Sequence, residues 1–321
     1  MNKSTSQIVG RFAPSPSGRM HLGNAFSALI AWSSARSQGG RMVMRIEDLD
    51  PRTQDPQKAR LVLDDLRWLG LDWDAGPYYQ SERQNYYLDA IAQLDDKGLT
   101  YPCFCTRSEL HAASAPHASD GTYIYQGTCR HLNAQEIAEK SLQRPPAKRL
   151  VVPERSDPNG TFDYDDLGYG HQHEILADDC GDFLIRRSDG VIAYQLAVVV
   201  DDSLMGVNEV VRGHDLLASS ARQSYIARLL GFEPPRYGHV PLLVAPDGRR
   251  LSKRNGDLDL GALRARGIHP EQVIGSLAHA IDLAEAGEEL TATQFVERFS
   301  WEAIRMHVAD VAVDDSFILG R

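Results

Sequence analysis

An α/β protein built on a parallel sheet is the fold class this sequence predicts, on three observations. Ile8 to Ala13 reads as a short strand that runs into the turn Pro14-Ser15-Pro16-Ser17-Gly18, and a helical pattern follows at once. Met42, Met44 and Ile46 then alternate along a second strand after Gly39-Gly40. Strand, helix and strand with connections this short suggest a right-handed βαβ unit. Further strand signals after residue 182 extend the same architecture beyond an interruption.

The first helix is predicted over Met20 to Ser37, with Leu22, Ala25, Phe26, Leu29, Ile30 and Ser33 spaced for packing. Two more are expected around Gln57–Leu69 and Glu82–Lys97, the latter capped by Ser81. From about Leu99 to Asp182, cysteines, histidines, Pro145-Pro146 and an Asp/Gly/Tyr-rich stretch break any long periodicity, which marks an inserted subdomain. Parallel-sheet signals return with Phe183–Arg186, a Ser188-Asp189-Gly190 turn and Val191–Val200, followed by Glu209–Arg212. A helix near Ala218–Leu230 and a strand over His239–Val244 continue the pattern. Beyond Leu258 the chain reads as helices. The expected division is a discontinuous catalytic-type domain over 1–98 and 183–258, an insertion over 99–182, and a helical region over 259–321.

The chain has 321 residues, about two domains at ~150 residues each. Hydrophobic residues make up 42% and charged residues 24%, which excludes wholesale disorder and leaves enough for a real core. No apolar run approaches the ~18 residues that cross a bilayer; Leu196 to Val200 is typical of the longest. The first seven residues lack an apolar stretch after Lys3, so no secretory signal is expected and no membrane partner either. Four cysteines do not make a disulfide scaffold, and a cytoplasmic, reducing location is the expectation. With 34 basic and 44 acidic residues the formal net charge is −10. A whole-surface grip on nucleic acid is therefore not expected, and any contact with phosphates must come from local basic patches. Arg249, Arg250, Lys253, Arg254, Arg264 and Arg266 form the densest such region; Arg144, Lys148 and Arg149 form a second.

The first turn, Arg11 to Asn24, sits where a strand hands over to a helix, the place where open α/β sheets bind ligands and where free N–H groups attract anions. His21 and Asn24 are three residues apart, and both can donate to phosphate oxygens. Gly23 leaves room for a flat base against the backbone. Late in the chain, Asp247 to Asp257 forms a basic loop with Gly248 and Gly256 near its ends, in which Lys253 offers a point charge to a triphosphate. A third constellation is Cys103-Phe104-Cys105 with Cys129: three soft thiolates in one short stretch, where a closed structural zinc site needs four ligands. Tyr123, Tyr125, His111, His117 and His131 are candidates for the fourth, and imidazole is the commoner zinc ligand. Cys180 stands apart and reads as a buried structural thiol.

Taken together these motifs carry a resemblance. Pro14 to Asn24 resembles the HIGH motif of class I aminoacyl-tRNA synthetases, and Arg250-Leu251-Ser252-Lys253-Arg254 resembles their KMSKS loop. The run Arg11 to Gly18 is similar to the opening of the glutamyl/glutaminyl branch, and the likeness extends through Glu47-Asp48, Tyr194 and Arg212 in the right order. Asn24 stands where the wider class often has a second His, so it can donate but carries no charge. Fewer than 70 residues follow Lys253, too few for the anticodon-binding region of ordinary glutamyl-tRNA synthetases. In this the chain resembles the truncated members of the branch, the glutamyl-Q tRNA(Asp) synthetases.

The resemblance implies a Rossmann-like class I catalytic sheet, a zinc-containing insertion and a short helical C-terminal region. It implies activation of L-glutamate by ATP with Mg²⁺, then transfer to queuosine in the anticodon of tRNA(Asp). Arg11, Ser15, Glu47, Tyr194 and Arg212 would bind glutamate: arginines for the carboxylates, Glu47 for the ammonium. His21, Gly23, Asn24 and Lys253 would bind ATP, and His21, Asn24 and Lys253 would stabilise the leaving phosphates. The same resemblance implies one structural zinc per chain, held by Cys103, Cys105, Tyr125 and Cys129. The rival expectations are a truncated enzyme charging the 3′ end of tRNA(Glu), a non-catalytic RNA-binding paralogue, and another nucleotidyltransferase of the same motif class.

Overall fold

A computed structural model describes residues 7–106, 109, 124–251, 259–314 and 317–318. The chain opens with β1 (Val9–Phe12), α1 (Leu22–Ser37) and β2 (Arg41–Ile46). β1 and β2 pair in parallel, with Val9 opposite Arg41 and Phe12 opposite Met44. Every α1 residue assigned to packing from the sequence is buried, from Leu22 to Ser33. α2 (Pro56–Trp68) leads to β3 (Ala75–Tyr79), which extends the parallel sheet on the far side of β2. Asp55 caps α2 by accepting the Gln57 N–H at 2.9 Å, with Pro56 at the first helical position.

α3 (Gln84–Asp96) begins later than expected, and Ser81 does not cap it. Ser81 gives both its N–H and its hydroxyl to the Asp48 carboxylate, at 2.8 and 2.6 Å. The inserted region is built on β4 (Thr100–Cys103), α4 (Ala134–Gln143), β5 (Ala147–Leu150), the antiparallel hairpin of β6 (Thr161–Asp166) and β7 (Gly170–Ile175), and a short helix α5 (Leu176–Asp179). β8 (Phe183–Arg186) runs antiparallel to β5 and completes the sheet β4-β5-β8, so its parallel-sheet reading is corrected. Four residues of apolar sequence carry no information on strand direction; β8 pairs with the insertion because β5 presents it an open edge.

The larger correction concerns Val191–Val200. The segment is not a strand but the start of α6 (Tyr194–Leu204), whose residues Leu196 to Asp202 are all buried. An uninterrupted apolar run fits a helix covered on all sides as well as a buried strand. Here packing against α3 overrides the β preference of three consecutive valines. The chain continues through β9 (Glu209–Gly213), α7 (Ser220–Leu230), β10 (Arg236–Val240) and β11 (Leu243–Val244), so the strand expected over His239–Val244 is divided between two. β9 and β10 are parallel. Asn208 joins them to the first sheet: its N–H donates to Val9 O at 3.0 Å and its Oδ1 accepts from Val9 N at 2.8 Å. The resulting order is β3-β2-β1-β9-β10, with the reversal between β1 and β9.

After α8 (Leu260–Ala265), α9 (Pro270–His279), α10 (Ala292–Arg298) and α11 (Trp301–Met306), a short β12 (Val311–Ala312) pairs with β11, an addition to the expected all-helical ending. One apolar cluster joins α1, α2 and these C-terminal helices; another joins α3, α6 and α7 to the insertion. Among the described residues no helix is long and apolar enough to cross a membrane. Cys180 is buried, and its thiol, pushed up to about 12 by burial, donates to Leu176 O.

Candidate active site and metal cluster

Strand order reverses between β1 and β9, and open α/β sheets bind ligands beyond the carboxyl ends of the strands at such a point; the candidate residues come to this place from several elements. Arg11 comes from β1 and Arg212 from β9. Glu47 directly follows β2, and Tyr194 opens α6. The turn carrying Ser15 is tied to the same place, because Pro14 O accepts the Glu47 N–H at 3.0 Å. Ser15 itself is exposed.

Arg11 is buried, and its one hydrogen bond among the described residues runs from Nη1 to Val211 O at 2.9 Å. Its Nε–H is buried without a hydrogen-bond partner; the nearest carboxylate oxygen is on Asp202 at 3.9 Å. Burial, joined by Arg45 and Arg212, lowers its pKa against the pull of Asp202. An unsatisfied buried cation of this kind is relieved by an anionic ligand. Glu47 supplies the opposite sign. Burial raises its pKa against the influence of Arg45 and Arg11, and among the described residues its carboxylate accepts one hydrogen bond, from Arg45 Nη2 at 3.2 Å.

Arg212 is a different case. Nε donates to His239 Nε2 at 3.0 Å, Nη1 to Gln223 Oε1 at 2.8 Å and the Tyr194 hydroxyl at 3.3 Å, and Nη2 to Ser220 Oγ and Leu216 O at 3.0 and 3.1 Å. All five N–H groups of the fork are engaged. A ligand carboxylate reaches this arginine by displacing one of these partners, and the longest bond, to Tyr194, is the one most easily exchanged. Tyr194, accepting from Arg212, keeps its own O–H to donate.

At the start of α1, His21 is the N-cap, not a residue on the helix face. Its Nδ1 accepts the Asn24 N–H at 3.3 Å, which puts the proton of the neutral ring on Nε2, the nitrogen turned from the helix. A Cβ on Gly23 would lie 3.2 Å from two atoms of that ring, so Gly23 lets the imidazole fold back over the helix end. Asn24 is exposed in the first turn. Lys253, Ser252 and Arg254 lie outside the described residues.

Sequence reasoning missed the group that holds this site together. Arg45 is fully buried and faces Asp202 at 2.6 Å, Glu47 at 3.2 Å and Asp201 at 3.7 Å. Asp201 in turn accepts from Gln80 Nε2, Arg83 Nε and the Tyr87 hydroxyl. A charged residue between Met44 and Ile46, and two aspartates directly after a valine run, were the available signals.

Cys103, Cys105 and Cys129 bring their sulfurs within 4.8 Å of one another. Cys105 Sγ lies 3.6 Å from Cys129 Sγ, and the Tyr125 hydroxyl lies 3.6 Å from Cys103 Sγ and 3.5 Å from Cys105 Sγ. Arg149 donates to Cys103 Sγ at 3.2 Å and stacks on the Tyr125 ring with its guanidinium 3.6 Å from the centroid. Burial opposes ionisation of Cys103, and Arg149 outweighs it, holding the thiol below its ordinary value. Three sulfurs so placed can bind a metal ion. His131 is exposed and does not join this cluster; His111, His117 and Tyr123 lie outside the described residues. Arg149, buried here, and Lys148, paired with Asp95 at 2.5 Å, do not form an open phosphate-binding patch.

Known proteins resemble this chain in sequence and in fold. The family described as tRNA synthetases class I (E and Q), catalytic domain, matches residues 7–314. A glutamyl-Q tRNA(Asp) synthetase of Symbiobacterium thermophilum is 46% identical over 91% of this chain and 92% of its own. That of Nitratidesulfovibrio vulgaris is 48% identical over 84% and 85%. A glutamate–tRNA ligase of Halorhodospira halophila is 41% identical over 93% of this chain, which spans 63% of that longer protein. The solved glutamate-tRNA synthetase of Elizabethkingia anophelis shares the fold, with a TM-score of 0.80 at 24% identity over 97% of this chain and 69% of its own. With a family match across nearly its whole length and relatives close to its own size, the chain belongs to the class I tRNA synthetases of the E and Q group, among the glutamyl-Q tRNA(Asp) synthetases.

Proposed function

We propose that the chain activates L-glutamate with ATP and transfers it to queuosine in the anticodon of tRNA(Asp). The observation that carries the amino-acid part is the pairing of a buried arginine lacking a hydrogen bond at Nε with a partly buried carboxylate held on one side only, Arg11 and Glu47, at the point where the strand order reverses. The names of relatives that match most of this chain over most of their own length support the choice of acceptor.

In this reading Arg11 binds a glutamate carboxylate, Arg212 and Tyr194 bind the other, and Glu47 receives the ammonium, with Ser15 at the rim. An α-carboxylate oxygen attacks the α-phosphorus of ATP, the bond to the bridging oxygen breaks, and pyrophosphate leaves with the electron pair. His21 Nε2–H, the first-turn N–H groups near Gly23, Asn24 and Lys253 bind the phosphates whose charge grows. Mg²⁺, bound with ATP, neutralises part of that charge. A hydroxyl of the queuosine ring then attacks the glutamyl carbonyl of the adenylate and displaces AMP. Labelled glutamate should pass to tRNA(Asp) in a queuosine-dependent way; transfer to tRNA(Glu) instead would identify a truncated ligase.

The insertion would hold a structural zinc through Cys103, Cys105, Cys129 and Tyr125. A tetrahedral zinc with sulfur at ~2.3 Å and oxygen at ~2.0 Å separates its sulfurs by about 3.8 Å and sulfur from oxygen by about 3.5 Å. The separations of 3.6, 3.6 and 3.5 Å fit that frame. Four protein ligands leave no open position, so the metal would stiffen the insertion rather than take part in the reaction. Purified protein is expected to carry about one zinc per chain, and Cys105→Ser to lose it together with part of the thermal stability. Metal analysis of wild type giving well under half an equivalent would exclude the site.

A further inference from the structure

His239 sits on β10 with no accessible surface, between Arg212 and a carboxylate that belongs to the insertion. Its Nδ1 lies 2.6 Å from Asp166 Oδ2, and its Nε2 accepts from Arg212 Nε at 3.0 Å. An arginine has no lone pair to offer, so Nε2 is the bare nitrogen and the proton lies on Nδ1. Arg212 and Arg11 face the ring as cations and Asp166 as an anion, and Tyr237 stacks at 6.3 Å between centroids. Burial first, then Arg212 and Arg11, hold the imidazole down at about 4 against the pull of Asp166, which keeps it neutral.

Asp166 is itself fixed. Oδ1 accepts the N–H groups of Gly168, Tyr169 and His239 at 2.9, 2.9 and 3.0 Å, leaving Oδ2 for the ring alone. The loop is pressed onto β10 so closely that a Cβ on Gly168 would lie 2.0 Å from His239 O. Nothing in the proposed reaction uses either residue directly, yet His239 Nε2 is the acceptor for the Arg212 Nε–H.

We propose that Asp166 and His239 are positioning residues for amino-acid binding: the hairpin carboxylate selects the Nδ1–H form of His239, whose Nε2 lone pair holds Arg212 in register with Tyr194. This rests on the reading that Arg212 and Tyr194 hold the glutamate. Asp166→Asn is the sharp test. The three N–H groups require the asparagine oxygen at the Oδ1 position, so its NH₂ must face the ring. Nδ1 then has to accept, the proton moves to Nε2, and it points at the Arg212 Nε–H. Donor against donor breaks the bond and turns the fork.

The experiment combines imidazole ¹⁵N spectra of the whole protein with ATP–pyrophosphate exchange. Wild type should show His239 as Nδ1–H, and Asp166→Asn as Nε2–H. In the variant the KM for glutamate should rise ~10–100-fold, the size expected for one charged hydrogen bond, with the KM for ATP unchanged. Should that variant not fold, His239→Gln keeps an acceptor where Nε2 was, and His239→Asn does not. The Gln variant should retain more glutamate affinity than the Asn variant. A wild-type Nε2–H ring, a flipped ring with unaltered glutamate KM, or equal losses for glutamate and ATP would overturn the assignment. Wild-type protein that shows no glutamate-dependent exchange would instead defeat the amino-acid reading, while the spectra would still decide the tautomer.

Discussion

Arg45→Met is expected to lower folding stability by about 3–5 kcal/mol at neutral pH, the penalty for leaving buried charges without their partner. Methionine has a similar reach and fills irregular space, so the loss comes from electrostatics rather than from a void. Arg45 is the shared counterion of Asp201, Asp202 and Glu47; the two aspartates are buried and the Glu47 side chain is 11% exposed. Asp201 retains Gln80, Arg83 and Tyr87, whereas Glu47 loses its one hydrogen-bond donor among the described residues.

The pH dependence has a definite sign. Burial already raises the Glu47 pKa in the wild type, and Arg45 opposes that rise. Without Arg45 the folded-state pKa of Glu47 moves further above its unfolded value. The folded variant then binds more protons than the unfolded chain, so its stability increases as pH falls toward the unfolded carboxylate range. Denaturant unfolding at pH 7 and near pH 5 should therefore show the deficit shrinking in acid. A loss under about 1 kcal/mol at pH 7, against the 3–5 expected for a broken buried pair, or a deficit that grows in acid, would refute the role given to Arg45.

Lys253→Ala is expected to slow glutamyl-adenylate formation ~10²–10³-fold, the usual effect of deleting one donor that meets charge developing in the transition state. The flanking cations have carboxylate partners: Arg250 faces Asp215 at 3.1 Å, Arg249 faces Asp247 at 3.3 Å, and Arg264 faces Asp64 at 2.7 Å. So engaged, they are poor substitutes for the Lys253 ammonium in its proposed role. In the proposed reaction Lys253 acts on the phosphates alone, so the glutamate KM and the unfolding midpoint should stay at wild-type values. Unchanged pyrophosphate exchange in the variant would remove Lys253 from the reaction.

How much of this was legible in the sequence differs from residue to residue. β1, α1 and β2 stood out because short apolar periodicities, a turn and a glycine pair agree with one another. Arg11, Glu47, Tyr194 and Arg212 are candidates because they occur in a recognised order, and the fold brings their side chains near one another. The run ending at Val200 misled because an all-apolar segment carries no period, and only its neighbours α3 and α7 make it a helix. Ser81 was a good cap by type, but Asp48 took both its donors. Asp166 and His239 left no signal, since they meet only after the insertion folds back on β10 across 73 positions of sequence. Arg45 left one, a cation inside an apolar strand, which spacing rules for secondary structure do not register.

Glutamate-dependent ATP–pyrophosphate exchange, run against glutamine and aspartate, bears most directly on the claim that a buried cation and a half-satisfied carboxylate define an acidic amino-acid site. Exchange should require glutamate, with glutamine and aspartate far weaker, and should fail in Arg11→Met while that protein stays folded. Equal exchange with glutamine, or full activity without the Arg11 guanidinium, would contradict it.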